Sequence, residues 1–304
     1  MSLTVLLLIL AAAALHAGWN YLAKASRDTV TFLWLGVSIG ALGYSVYPLF
    51  TQSFDLPREV WPYFILSNLA ELAYFVTLVL GYRQGDLSLV YPLSRGSPPI
   101  FVAFWSALFL GERLPWLGYF GILLMVVGIW VASLAPGGAS RVPITERPVP
   151  GVGGLQWVRM WMHDHSAALW ALASGVFVAV YSLSDKLVVS AMSPLVYNWW
   201  VYAGNAVTWF PLVLFIRGRT RIAAELRTNW LRVVAGSVMT IAAYVLVLIA
   251  QTMTSASYVV AGRGSSVVIG ALLGWLVLGE GVGRVRLWGA VLMFIGLAVM
   301  TLAR

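Results

Sequence analysis

A short motif that contains an arginine occurs twice in this chain, 168 residues apart and each time inside a long apolar stretch. Arg95-Gly96-Ser97 returns as Arg263-Gly264-Ser265. The same offset carries Leu110-Gly111-Glu112 to Leu278-Gly279-Glu280, and Gly121, Met125 and Gly128 to Gly289, Met293 and Gly296. A charge inside an apolar segment is costly and marks a functional position by default. The sequence therefore predicts a membrane protein of two related halves with a polar site near its middle.

The composition favours the same class. Hydrophobic residues make up 61% of the 304 positions and charged residues 10%, whereas soluble domains contain about 25% charged residues. Cysteine is absent, which excludes disulfides and thiolate metal sites. The net charge of +8 comes from basic residues scattered between apolar runs. We interpret this charge as an orientation signal for a bilayer rather than as a nucleic-acid surface.

Apolar runs bounded by charges and turn residues predict ten membrane-spanning helices, since each span needs about 20 residues. They cover 2–24, 30–52, 60–82, 86–110, 114–134, 166–187, 194–216, 229–251, 255–278 and 285–303. The polar stretch 135–165 is predicted to link a first repeat, 1–134, to a second, 166–304. Because five is an odd number, the second repeat enters the membrane opposite to the first. We predict an all-α integral membrane protein of two inverted five-helix repeats, with the site at their interface.

The distribution of basic residues predicts how the chain is oriented. The connections after the odd-numbered segments contain twelve lysines and arginines, and the opposite side, counted with the chain end, contains four. Cytoplasmic connections carry the excess of positive charge. The count therefore predicts that both termini lie outside the cytoplasm.

Arg95 lies in a run from Tyr91 to Pro99 that contains three prolines and a glycine. Such a run predicts a broken helix, because proline removes an amide donor and clashes with the preceding turn. Broken backbone at membrane depth is tolerated only beside protein or a water-filled cavity. One interpretation is that Arg95 and Arg263 attract a substrate carboxylate, which a guanidinium pairs in bidentate fashion. The other is that they bind backbone carbonyls or serve packing.

Glu71 lies near the centre of the third predicted helix, deeper than the other carboxylates. A carboxylate at that depth suits proton coupling or the binding of a substrate amine. It equally suits a permanent ion pair with Arg95 or Arg263. Tyr74, three residues later, shares its helical face.

Polar and aromatic side chains recur at helical spacing in several other segments. Each of these stripes lines a cavity or makes hydrogen bonds between helices, and both interpretations stay open. For His16 the alternatives are a proton relay and a histidine satisfied by a carbonyl. The candidate residues are His16, Trp19 and Asn20 in the first segment, Tyr91 and Ser94 beside Arg95, Tyr181 in a stripe with Ser174 and Asp185, Asn198, Tyr202 and Asn205 in the seventh, and Tyr244 in the eighth.

The sequence contains no convincing enzymatic constellation. Its three histidines, at 16, 163 and 165, lack metal-ligand spacing with carboxylates, and the GRGSS run lacks the lysine of a phosphate-binding loop. We therefore predict no catalytic residue, no metal and no cofactor.

Three features together resemble the EamA branch of the drug/metabolite transporter superfamily. They are the two five-helix halves, the ends AGWNYLAK (17–24) and AVYSLSDK (179–186) of their first helices, and a Leu-Gly-Glu turn before a glycine-rich fifth helix. The resemblance covers nearly the whole chain. Members with assigned substrates export amino acids, other metabolites or drugs.

The resemblance implies a ten-helix, cofactor-free secondary transporter in a bacterial inner membrane. We predict a monomer that exports amino acids or related metabolites by alternating access, with protons as a candidate coupling ion, because paired arginines and a buried glutamate suit a zwitterion. The alternatives are an exporter of cationic or apolar drugs and, from another class, a channel. Ten-helix members are often drawn with both termini in the cytoplasm, opposite to the charge count.

Overall fold

The computed structural model describes residues 1–24, 26–84, 87–133, 166–266, 268–269 and 284–303. Every regular element in these ranges is a helix. The predicted link 135–165 and the second Leu-Gly-Glu turn, 278–280, lie outside the described residues.

The described helices lie on both sides of the predicted link in the sequence. The first half contains α1 (Leu3–Lys24), α2 (Thr29–Tyr44), α3 (Val46–Thr51), α4 (Trp61–Gln84), which follows a 3-10 turn (Arg58–Val60), α5 (Leu87–Gly96), α6 (Pro98–Phe109) and α7 (Trp116–Ser133). The second contains α8 (Ser166–Val189), α9 (Pro194–Met253), α10 (Ala256–Arg263) and α11 (Arg284–Leu302).

Five helical stretches among the described residues are long and apolar enough to cross a bilayer. They are Leu3–Ala23, Thr29–Thr51, Arg58–Gly81, Ser166–Val189 and Pro194–Met253, and two shorter apolar helices cover Trp116–Ala132 and Leu287–Leu302. The stretch Pro194–Met253 contains both the seventh and the eighth predicted segments. It leaves helical geometry at Gly218, where φ is 72°, and at Asn229, between the boundaries predicted at 216 and 229. A positive φ of this size is readily adopted only by glycine.

The helix interruption predicted around Arg95 is limited to one residue, Ser97, whose backbone keeps helical dihedrals and whose amide donates to the Leu93 carbonyl at 3.1 Å. Helix α5 ends at Gly96, and α6 begins at Pro98 with prolines in its first turn. Proline is well suited to that place, because the first amides of a helix have no partner within it. Arg95 therefore lies in the last turn of α5, beside an interruption in the middle of the predicted fourth segment.

The core of the protein lies between the two halves. The most extensive helix pairs each join one helix of the first half to one of the second: α7 with α11, α4 with α8, α2 and α1 with α9, and α5 with α8. Polar contacts follow the same pairing. The Ser237 hydroxyl donates to the Gly36 carbonyl at 2.8 Å, and the Trp34 indole donates to the Ala206 carbonyl at 3.0 Å. The halves therefore form a single packed body rather than two separate bundles.

The contacts between α7 and α11 repeat themselves when the two helices are exchanged. A Cβ added to Gly128 would lie 2.8 Å from the Gly289 carbonyl oxygen, and one added to Gly296 would lie 2.7 Å from the Gly121 carbonyl oxygen. The offset of 168 residues converts the first contact into the second. The start of each helix meets the end of the other, so the pair is antiparallel. Such close backbone approach through small residues is typical of helices in membranes.

Lys186, near the end of α8, binds the end of α9. Its ammonium group donates to the Thr254 carbonyl at 2.7 Å and to the Gln251 carbonyl, and the Glu112 carboxylate is 3.8 Å away. The last carbonyls of a helix lack intrahelical partners, and a cation placed there satisfies them. Glu112, in the connection after α6, accepts from the Ala256 amide at the start of α10. Burial raises the pKa of the Glu112 carboxyl despite the opposing effect of Lys186.

We expect the carbonyl contacts of Lys186 to contribute more stability than its ion pair does. Lys186→Met should lower the free energy of unfolding by about 2–4 kcal/mol, because two carbonyls lose a charged donor. Glu112→Gln should change it by about 1 kcal/mol or less, since the amide oxygen still accepts from Ala256 and an ion pair as long as 3.8 Å contributes little beyond the carbonyl contacts. Thermal unfolding of both variants in detergent measures the difference. Equal losses would show that the ion pair dominates instead.

Candidate functional site

A buried carboxylate joins helices of both halves near the middle of the fold. Asp185 on α8 has 1% of its surface exposed. Its Oδ1 accepts from the Ser67 hydroxyl of α4 and from the Tyr197 hydroxyl of α9, each at 2.6 Å. Its Oδ2 accepts from the Tyr244 hydroxyl, in the later part of α9. Three donors of this kind are what a buried carboxylate needs.

Glu71 lies one helical turn further along α4 than Ser67. The Asn205 side-chain amide on α9 donates to its Oε2, and the Tyr244 hydroxyl also faces it. Glu71 is half-buried although it lies deep among the helices, whereas Asn205 is buried. The Asn205 side-chain oxygen has no protein partner among the described residues. This pair therefore presents a partly accessible carboxylate and an unused acceptor to the same region.

Arg263, the last residue of α10, lies against the tyrosines that surround the two carboxylates. The centre of its guanidinium group is 5.8 Å from the centre of the Tyr244 ring, a distance at which a cation is attracted to the ring face. Its guanidinium group also lies close to the Tyr181 hydroxyl. The Tyr181 ring packs edge-on against Tyr74, and the Tyr244 ring packs likewise against Tyr202. Tyrosine rings thus connect Arg263 with Glu71 and Asp185.

Arg95 approaches this group from the first half. Arg95 and Arg263 both lie within electrostatic range of His16 on α1, and Arg95 also lies within range of Tyr181. Arg95, Arg263 and His16 are all half-buried. The interrupted fourth segment and α10 therefore place two cations near His16 and Tyr181, and Arg263 also interacts electrostatically with both carboxylates.

A sequence model of the EamA-like transporter family matches residues 3–134 and 165–302, nearly the whole chain. The chain belongs to this family. One solved crystal structure has the same fold, with a TM-score of 0.77 over 99% of this chain and 98% of the other, at 17% sequence identity. No curated protein matches the sequence. Family membership identifies a multi-pass membrane protein that transports small molecules, so the charged region is the candidate substrate site of an EamA-like transporter.

Most of the residues singled out in the sequence meet in this region. Those linked by contacts or by electrostatic interaction are His16, Glu71, Tyr74, Arg95, Tyr181, Tyr202, Asn205, Tyr244 and Arg263. The sequence left open a permanent ion pair between Glu71 and an arginine. In the structure the neutral side chain of Asn205 contacts Glu71 directly, and Arg263 interacts with it electrostatically.

The remaining candidates from the sequence are Asn20, Trp19, Asn198, Ser94 and Tyr91. Asn20 donates to the His16 backbone carbonyl at 2.7 Å, one turn earlier in its own helix. Trp19 packs edge-on against His16, with 4.7 Å between ring centres. Asn198 is fully buried, and neither polar atom of its side chain has a protein partner among the described residues. Ser94 is buried beside Arg95. The Tyr91 side chain lies outside the described part of the structure.

Asp185 is the residue whose importance the sequence understates. It appears there only as one member of a polar stripe, next to Lys186 and close to the predicted helix end at 187. The helix continues to Val189, and Tyr197 and Tyr244 enclose the carboxylate. A usable signal was present, because Asp185 is the one acidic residue within segment 166–187. No group of three potential metal ligands occurs among the residues that the structure describes.

Proposed function

We propose that this EamA-like transporter is a secondary active exporter of amino acids or related small metabolites in a bacterial inner membrane. The observation that carries the proposal is the pairing of partly accessible opposite charges in one region: Glu71 on one side, Arg95 and Arg263 on the other. A zwitterion presents an amine and a carboxylate to such a site. Guanidinium groups suit the carboxylate, since they offer two parallel donors.

The proposed architecture is ten spans in two inverted repeats, 1–134 and 166–304, with 135–165 between them. The reciprocal, antiparallel contacts of α7 and α11 support it. Two equivalent helices that cross a membrane in opposite directions, with exchangeable contacts, are related by a two-fold axis in the membrane plane, which is the symmetry of inverted repeats. Alternating access then consists of motion of one repeat against the other around the central site. We further propose that the transporter works as a monomer, with protons as the candidate coupling ion.

Transport by the purified protein in liposomes tests the proposal. We expect counterflow of radiolabelled amino acids, and weaker counterflow of the matched amides and decarboxylated amines, which lack the carboxylate. Imposing a pH gradient reveals proton coupling. Liposomes without protein provide the control. Flux without counterflow would indicate a channel, and absence of amino-acid transport would contradict the proposal.

Export of cationic compounds is the second candidate function. The tyrosines around Glu71 and Asp185 favour it, because aromatic faces and carboxylates attract cations. Two nearby arginines oppose it. The same liposomes distinguish the candidates, since a cation exporter transports the decarboxylated amine better than the amino acid.

A further inference from the structure

Asp185 is closed to any ligand. Its exposure is 1%, and both of its oxygens accept hydroxyl donors from Ser67, Tyr197 and Tyr244. Glu71, Arg95 and Arg263 by contrast are half-buried. These three side chains therefore retain exposed surface and Asp185 retains almost none, so the effect of Asp185 on transport must pass through the residues that it holds.

Tyr244 is the contact through which Asp185 reaches the accessible charges. Its hydroxyl donates to Asp185, and the face of its ring lies 5.8 Å from the Arg263 guanidinium. The hydrogen bond holds the hydroxyl end of the Tyr244 side chain in place, and the edge-on contact with the Tyr202 ring restrains rotation of the ring about its long axis. A hydroxyl that donates to a carboxylate also makes the ring more electron-rich, which strengthens its attraction for a cation.

The Arg263 side chain depends on its neighbours to hold it in one conformation. An arginine side chain has several rotatable bonds, so holding it in one geometry costs rotamer entropy. Arg263 ends α10 and is followed by Gly264, so its own backbone neighbour contributes no side chain to pack against it. Among the described residues, the Tyr244 ring lies against its guanidinium, and the Tyr181 hydroxyl lies close to it.

We infer that Asp185 is a positioning residue which, through Tyr244, aims the Arg263 guanidinium at the substrate carboxylate and so sets the preference for carboxylate-bearing substrates. The inference rests on the proposed function, in which Arg263 binds that carboxylate. A preorganised donor binds its ligand more tightly than a mobile one, because less entropy is lost on binding. Asp185 therefore affects selectivity without touching the substrate.

The test compares the apparent affinity for an amino acid with that for its carboxamide, which differ only in the carboxylate. In Asp185→Asn the ratio should fall about 10-fold or more, because the Arg263 guanidinium is no longer held in position for the carboxylate. In Arg263→Gln it should fall at least as far, because the charge-assisted contact itself is lost. Asp185→Asn combined with Arg263→Gln should be no less selective than Arg263→Gln alone. Tyr244→Phe, which keeps the ring but loses the hydroxyl, should resemble Asp185→Asn. Ser67→Ala, which leaves the Tyr244 contact intact, should retain the normal ratio.

The outcomes separate this inference from the proposed function. A purely structural Asp185 would reduce the amount of folded protein and leave the ratio unchanged, and that result beside a selective loss in Arg263→Gln would overturn the inference alone. An unchanged ratio in Arg263→Gln would overturn the carboxylate role of Arg263 and the inference with it. If Asp185→Asn does not fold, Tyr244→Phe decides the question by the same ratio.

Discussion

A Gly128→Val variant should lose about 3 kcal/mol or more of stability and yield little folded protein. A Cβ at this position would lie 2.8 Å from both the carbonyl oxygen of Gly289 and the amide nitrogen of Met293. Both atoms are helical backbone, which cannot turn aside as a flexible side chain can. Overpacking of well-packed interiors typically costs about 1–3 kcal/mol, and more where the neighbours cannot move. Yield in detergent, size-exclusion profile and thermal unfolding measure the loss.

Gly43→Val provides the matched control, because a Cβ at Gly43 would have no atom within 4 Å. The reciprocal contact adds a second check. Gly296→Val should be about as harmful as Gly128→Val, since its Cβ would meet the Gly121 carbonyl oxygen at 2.7 Å. If Gly128→Val had the same melting temperature as Gly43→Val, the close packing of α7 against α11 would be contradicted.

The sequence is most informative where local chemistry determines the backbone. Prolines at 98 and 99 predict the interruption after Arg95, since each lacks an amide donor to the preceding turn and clashes with it. The single Pro92 does not interrupt α5. The polar run 217–229 predicts the interruption of α9, and the structure shows it at Gly218 and Asn229. The repeat of glycines at a fixed offset indicates equivalent helices. It does not reveal that these helices contact each other, because no local pattern specifies a partner.

The contacts within the candidate site are less predictable because they depend on distant residues. Asn205 lies 134 residues from Glu71, and Tyr244 lies 59 residues from Asp185. Helical spacing places each side chain on a face, but the crossing of helices decides what that face meets. Asn20 shows the converse limit: its spacing from His16 suggests a shared polar face, yet its amide binds a carbonyl of its own helix. Short-range backbone bonds of this kind compete with any contact across helices.

Neutralising Glu71 or Arg95 should abolish transport without unfolding the protein. Glu71→Gln keeps an oxygen that accepts from the Asn205 amide, and Arg95→Gln keeps an amide donor on a half-buried side chain, so the melting temperature should stay near normal. Each substitution removes a charge that a zwitterionic substrate would pair with. A hydrogen bond to a charged group contributes about 1.5–3 kcal/mol, so substrate affinity should fall about 10- to 100-fold and counterflow should fall to background at moderate substrate concentration. Expression, thermal stability and liposome counterflow should be measured on the same preparations.

The exposed residues Glu59 and Arg58, in the 3-10 turn before α4, provide controls of the same chemistry. Glu59→Gln and Arg58→Gln should transport normally, which separates the loss of these particular charges from a general effect of charge removal. A purely structural role predicts a different pattern for Glu71 and Arg95. If Glu71 and Arg95 serve only the fold, removing either leaves a buried charge without its compensation, at a cost of about 3–5 kcal/mol. Stability would then collapse while each remaining folded molecule kept its normal counterflow, and that pattern would remove the residue concerned from the transport path.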